Sequence, residues 1–411
     1  MMWKPGRYLP SLALAVVLLT AMPASAKVEG GFIFLGSAIS FTGKYATNGI
    51  HSKNGYHLAV KTINQAGGVK VGGKTYKLKV VYYDDESVPA RAAELVERLI
   101  KDDGIKFLLG PYSSATTGAT AKVTERLKVP MVTAEAASRA LFTQGYKYLF
   151  SVLSTSEQYL SSAIALAAAL ASKAGKAPGE VKVAMAFEND PFSLDVRAGV
   201  LEDVKKHGFE VVIDDRLPAD LSDMSATLRR VRASEPDMLL VSGHSKGAAT
   251  AARQIAEFKI KTPMIAMTHC ESAKIVKKFA AAVEGFLCPT QWAETMSYKD
   301  SLFGTAAEYD SLFKKSYRGY ANVPYQAAQA SAAVMVWKDA LERAQSFDIE
   351  KVRAALAATE MQTFYGPIKF SEAGKNVAKP MALRQIQDGK FNVVASARFA
   401  SHQIIHPRRA N

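Results

Sequence analysis

Three short stretches of this chain combine residue types and spacings that could do chemistry. Gly68-Val-Lys-Val-Gly-Gly73-Lys74-Thr75 fits the GxxxxGK[ST] pattern, in which the N–H groups of a Gly-rich loop cradle phosphates and the Lys reaches their outer oxygens. Gly243-His244-Ser245-Lys246-Gly247 fits the GxSxG elbow, which would make Ser245 the nucleophile of a serine hydrolase. Gly110-Pro111-Tyr112-Ser113-Ser114-Ala115-Thr116-Thr117 matches no reaction, but it puts hydroxyls where a strand gives way to a helix. Either Ser113 or Ser114 can be the N-cap there, and the unpaired N–H groups at the positive end of a helix make a site for a carboxylate.

The flanking elements decide among these chemistries. GFIFLGS from Gly31, LKVVYY from Leu78, KFLLG from Lys106 and PMVTA from Pro130 read as strands, separated by helical patterns over about 49–65, 89–101 and 115–128. The order then restarts with a helix over 156–173, VKVAMAF from Val181, a helix over 193–207, FEVVIDD from Phe209, DMLLVSG from Asp237, PMIAMTH from Pro263 and EGFLCP from Glu284. Repeated βαβ order implies an α/β fold of two doubly wound lobes, each a parallel sheet covered by helices on both faces. A third section, with helices over about 305–318, 325–343 and 349–359, carries no long strand and is expected to pack on an existing sheet.

A phosphate loop follows a strand and opens a helix, whereas GVKVGGKT follows a helix and leads into a strand. Gly67-Gly68 therefore reads as a helix C-cap and Gly72-Gly73 as a hairpin turn. The elbow at Ser245 does lie between a strand and a helix, so a secreted hydrolase is the alternative reading. It would need an acid and then a His downstream, which leaves His269, His402 or His406, and no HGGG-type oxyanion segment precedes it. The GPYSS stretch gains from a second strand end beside it, Ala134-Glu135-Ala136-Ala137-Ser138, because ligands of open α/β sheets bind at such edges.

At the amino terminus Lys4 and Arg7 precede the apolar run LALAVVLL (Leu12 to Leu19), and Ala24-Ser25-Ala26 follows: a secretory signal peptide over residues 1–26, cleaved before Lys27. The run falls short of the roughly 20 residues that span a bilayer, and no Cys follows it to carry a lipid. Cleavage removes two of the 52 basic and none of the 38 acidic side chains, leaving a formal charge of +12. The Lys and Arg are scattered rather than clustered with aromatics, so no nucleic-acid partner is expected. The mature chain is expected to be soluble, and the 48% hydrophobic content of the full sequence is enough to bury two cores. Cys270 and Cys288 are two buried thiols or one disulfide, which oxidation outside the cytoplasm would permit.

Further pieces complete a set: Gly36-Ser37-Ala38-Ile39-Ser40-Phe41-Thr42-Gly43, INQAGGV (Ile63 to Val69), YYDDESVPARA (Tyr82 to Ala92), DDGIKFLLGPYSSATT (Asp102 to Thr117), VPMVTAEAAS (Val129 to Ser138), NVPYQAAQASAAV (Asn322 to Val334) and FYGPIKFSEAGKN (Phe364 to Asn376). Over nearly the whole mature chain this resembles the leucine/isoleucine/valine-binding protein family, the type I periplasmic solute-binding proteins of ABC-type importers. The resemblance implies two lobes joined by crossovers near residues 152, 290 and 380: residues 27–152 with 291–380, and residues 153–290 with 381–411. It implies a periplasmic monomer that is no enzyme, needs no cofactor or metal, and closes on a small amino acid of the branched-chain type or a related carboxylate for delivery to a membrane permease.

The resemblance also implies the site. Ser113 or Ser114, Ala136 and Ala137, with Ser138 adjacent, map to the residues around the ligand's carboxylate; Tyr45 maps to an aromatic of the first loop; Phe192, His244 and Tyr325 map to side-chain contacts. Trp292 joins Tyr45, Phe192 and Tyr325 around an apolar tail. Ala137 stands where the family has Thr, and His244 where it has Tyr. The acid that pairs with a ligand's ammonium falls within Thr268-His269-Cys270-Glu271. Glu271 in the pocket implies an amino acid; His269 there implies a carboxylate without an amine, because a desolvated ammonium lacking an anion costs several kcal/mol. His269, Cys270 and Glu271 are consecutive, so they diverge from a loop and are not expected to share a metal.

Overall fold

The computed structural model describes residues 1–2 and 26–408, so the core of the expected signal peptide lies outside the described residues. Strand Phe32–Ile39 shows how the sheets form: every residue from Leu35 to Ile39 is buried, as a central parallel strand covered on both faces requires. It pairs in parallel with Lys74–Asp84 on one side and Phe107–Leu109 on the other. From edge to edge this sheet runs Val69–Val71, Lys74–Asp84, Phe32–Ile39, Phe107–Leu109, Met131–Thr133 and Leu149–Ser151. A second sheet runs Lys390–Ala395, Ala382–Gln387, Leu287–Thr290, Met264–Met267, Met238–Ser242, Lys182–Glu188 and Glu210–Leu217. The expected pair of doubly wound lobes is thus present.

The chain passes between the sheets three times, after Ser151, after Thr290 and before Ala382. Between the second and third passages, helix Tyr325–Ala344 packs along helix Ala46–Gln65, so the third section covers the first sheet. GVKVGGKT forms the expected cap and hairpin: Gly68 N donates to Ile63 O at 2.8 Å, and Val71 pairs with Lys74 around Gly72 and Gly73, whose φ values are +57° and +75°. Cys270 and Cys288 are joined by a disulfide with a Cα–Cα distance of 5.9 Å, tying the loop after Met264–Met267 to the neighbouring strand. No helix among the described residues is long and apolar enough to cross a membrane.

Among the departures from the sequence reading, four elements stand out. Strands Ala382–Gln387 and Lys390–Ala395 extend the second sheet; their burial of Arg384, Gln385 and Gln387 hides the apolar alternation that would announce a strand. Helix Ser225–Ser234 is added, with only Thr227, Leu228 and Val231 buried. The helix expected from 156 starts at Ser161, because Ser156 is held in a short turn by its N–H on Ala137 O and its hydroxyl on Asp195 Oδ2.

The attachment of the third section rests on close backbone approach. A Cβ added at Gly55 would collide with Ala327 O in the facing helix, and Ser331 Oγ donates to Gly55 O at 2.7 Å. Gly118, also helical, has Leu141 Cδ2 at 3.4 Å as its nearest neighbour. Gly55→Ala is expected to lower unfolding stability by about 1–3 kcal/mol, while Gly118→Ala stays neutral or gains up to about 1 kcal/mol. Denaturant midpoints check this, and equal losses at both sites would refute the close approach.

Candidate ligand-binding site

Four helices begin at one cavity between the lobes. Ser114 opens helix Ser114–Leu127, Phe192 lies in the first turn of Pro191–His207, His244 is the N-cap of Ser245–Glu257, and Tyr325 opens Tyr325–Ala344. All four side chains line the cavity. Each helix leaves its first N–H groups without intrahelical partners and carries a partial positive charge at that end. Tyr112, Tyr159, Leu153 and Ala137 supply further walls, and Gln326, Gln329, Glu135 and His269 supply polar groups. The lobes meet closely here, leaving a cavity of about 10 Å³, room for about one water.

The Tyr112 hydroxyl joins the lobes. It lies 2.6 Å from Asn48 Nδ2, 2.9 Å from His244 Nδ1 and 2.9 Å from His269 Nε2. Burial, and then the neighbouring His244, push the His269 imidazole down to about 3, so it is neutral at physiological pH. Glu135 is buried, accepts from Ser52 Oγ at 2.6 Å and from Gln329 Nε2 at 2.8 Å, and is driven well above the usual carboxylate range by burial. The cavity therefore combines helix ends, aromatic rings and a neutral imidazole, and its one carboxyl favours the uncharged form.

Residues 33–390 match the model of the family described as periplasmic binding protein. The chain belongs to that family. It is similar to Leu/Ile/Val-binding protein homolog 8 of Brucella abortus (strain 2308), 25% identical over 401 residues that cover 95% of this chain and 96% of that protein. Among solved structures it resembles the leucine binding protein LivK from Thermotoga maritima MSB8, with a TM-score of 0.76, 21% identity, and coverage of 88% of this chain and 97% of that one. It also resembles an ABC-transporter solute binding protein from R. palustris in complex with benzoate, with a TM-score of 0.72, 20% identity, and coverage of 92% and 97%. At such identities the structural likeness shows the type I periplasmic binding protein fold.

The structure of this periplasmic binding protein distributes the sequence-derived candidates unevenly. Ser114, Ala137, Phe192, His244 and Tyr325 line the cavity. Tyr45 sits behind them, its ring 4.8 Å from His244 and 5.4 Å from Tyr112. Ser113 is the N-cap, accepting from Thr116 N at 3.2 Å with φ +79°, and Ser138 N donates to Ser114 Oγ at 3.1 Å; neither residue lines the cavity, nor does Ala136.

Glu271 lies elsewhere: its Oε1 accepts from the buried Arg384 Nη1 at 2.6 Å. His269, at φ +60°, turns the chain so that its own ring enters the cavity. Trp292 is a core residue, packed against Tyr309 and Phe364 with Nε1 donating to Phe364 O. The hydrolase arrangement is not formed, because Ser245 Oγ donates to Asn48 Oδ1 at 2.7 Å, lies 2.6 Å from Ser272 Oγ, and has no imidazole partner.

The residue types gave no signal for Gln326, which looks like any helical Gln. It is 1% exposed, it lines the cavity, and neither its Oε1 nor its Nε2 has a hydrogen-bond partner. His269 Nδ1 is equally unpaired. Buried polar groups are nearly always satisfied, so atoms left open at a cavity wall mark where a ligand's polar atoms belong. Gln326→Leu is expected to stabilise the ligand-free protein by about 1–3 kcal/mol, by removing an unpaired amide, and to weaken ligand binding. Melting curves and titration calorimetry read the two effects; reduced stability with unchanged affinity would refute this role.

Proposed function

We propose that this protein is the solute receptor of an ABC importer, exported through the cleaved leader at residues 1–26, which clamps a small carboxylate lacking an amine between its lobes. Residues 27–152 with 291–380 form one jaw, residues 153–290 with 381–411 the other, and the closed monomer delivers its cargo to a membrane permease. An aromatic acid is the preferred cargo. The observation that carries the reading is the convergence of four helix starts, at Ser114, Phe192, His244 and Tyr325, on a cavity whose one lining carboxyl, Glu135, is pushed toward its uncharged form by burial.

An ammonium has no counterpart on these walls. Glu135 is held by Ser52 and Gln329 and pushed toward its uncharged form by burial, Glu271 is paired with Arg384, and His269 stands uncharged in the cavity. Tyr112, Tyr159, Phe192 and Tyr325 offer ring faces and edges to an aromatic body. Tyr45, Ser113 and Ser138 back these contacts, while Ala136 packs in the core of the first sheet. The benzoate complex of the R. palustris relative supports this cargo class; leucine binding by the T. maritima relative supports the branched-chain alternative.

A thermal-shift panel of benzoate, 4-hydroxybenzoate, leucine and isoleucine tests the proposal. At 100 times its dissociation constant a ligand adds about 2.7 kcal/mol of stability, so the aromatic acids are expected to raise the melting temperature and the amino acids to leave it unchanged. A shift with leucine and none with the aromatic acids would overturn the choice of cargo.

A further inference from the structure

The GHSKG motif, having no catalytic role, makes room for a buried carboxylate. A Cβ added at Gly243 would meet Glu188 Oε1 at 2.7 Å, and one added at Gly247 would collide with the same oxygen. Glu188, Asp190 and His244 are 1%, 6% and 5% exposed. One oxygen of each carboxylate and one ring nitrogen lie within 4.8 Å of one another, and Asp190 Oδ2 stands 3.0 Å from His244 Nε2.

The remaining atoms of the three side chains are already engaged. Glu188 Oε1 accepts from His244 N at 3.3 Å, Asp190 Oδ1 accepts from Ser193 N at 2.9 Å, and His244 Nδ1 meets the Tyr112 hydroxyl at 2.9 Å. Glu188 Oε2 is left buried without a hydrogen bond, and Asp190 Oδ2 has only the His244 imidazole beside it at 3.0 Å. Two buried carboxylates so close together must either share a proton or take up positive charge. Lys44, whose charge acts on Glu188, is occupied by Ala219 O at 3.0 Å and lies over the Tyr45 ring.

We propose that Glu188, Asp190 and His244 bind a divalent transition-metal ion of the zinc class beside the ligand cavity. Two carboxylates and one imidazole are a donor set for Zn²⁺, Mn²⁺ or Fe²⁺. Donors about 2.0–2.2 Å from one ion stand roughly 3.0–3.4 Å apart at octahedral to tetrahedral angles, which the Asp190–His244 spacing matches. With Nε2 given to the ion, Nδ1 keeps its proton and donates to the Tyr112 oxygen, which also accepts from Asn48 Nδ2 at 2.6 Å; such support of a ligating imidazole is the usual arrangement. Because His244 also lines the ligand cavity, the ion would stiffen a wall of the binding site.

The test is Co²⁺ titration of the tag-free, chelator-treated protein, followed by visible absorption, with elemental analysis after dialysis against Zn²⁺. One equivalent is expected, with cobalt bands that Zn²⁺ displaces. Glu188→Gln is expected to weaken binding by more than about tenfold, and His244→Phe to abolish the bands, with circular dichroism showing both variants folded. Asp190 is left intact because it caps helix Pro191–His207. No cobalt binding above the blank, or binding that both variants leave unchanged, would overturn the proposal.

Discussion

In a parallel sheet every helix that follows a strand begins at the same edge, so the positive helix ends gather there and nowhere else. This chain contains two such sheets, with those edges turned toward each other across one cleft. The site follows from that constraint. Ser114 follows strand Phe107–Leu109, Phe192 follows Lys182–Glu188 and His244 follows Met238–Ser242; Tyr325 arrives from the section that packs on the first sheet. No lysine or arginine lines the cavity. Backbone dipoles supply the positive potential instead, without the large desolvation cost that a buried ammonium or guanidinium would carry.

Contacts between the lobes are few and polar at the centre. Tyr112 reaches His244 and His269, and Asn48 reaches Ser245. Hydrogen bonds of this kind contribute about 0.5–1.5 kcal/mol each, enough to register the jaws and small enough to exchange for bonds to a ligand. The unpaired Gln326 amide and His269 Nδ1 are the positions where that exchange gains most. The largest apolar core reaches the cleft through Ala137, Leu153, Tyr159, Phe192 and Tyr325, while Trp292, Tyr309 and Phe364 pack together within it, and the Cys270–Cys288 disulfide fixes the loop that carries His269.

Much of the fold was legible because its signals are local. Pro89 and the apolar spacing behind it marked helix Pro89–Lys101, and the run of aromatic and β-branched residues marked Phe32–Ile39. The inverted context of GVKVGGKT was enough to make it a hairpin. The strands after Ala382 were not legible, because Arg384 is buried by pairing with Glu271 and Glu294, a compensation distant in sequence. The choice between Glu271 and His269 turned on a left-handed backbone at His269, which residue types do not announce. Gln326 and Glu188 were hidden for a different reason: each is ordinary until both lobes, or two glycines of another loop, enclose it.

The central claim is that an anion, held by helix ends, is what the cleft was built to bind. Titration calorimetry with benzoate and with benzamide, which share shape and ring but differ in charge, tests it most directly. The account predicts benzoate binding at least about tenfold tighter, since hydrogen bonds to a charged group contribute about 1.5–3 kcal/mol against roughly 1 kcal/mol for neutral ones. Equal affinity, or tighter binding of the amide, would contradict it.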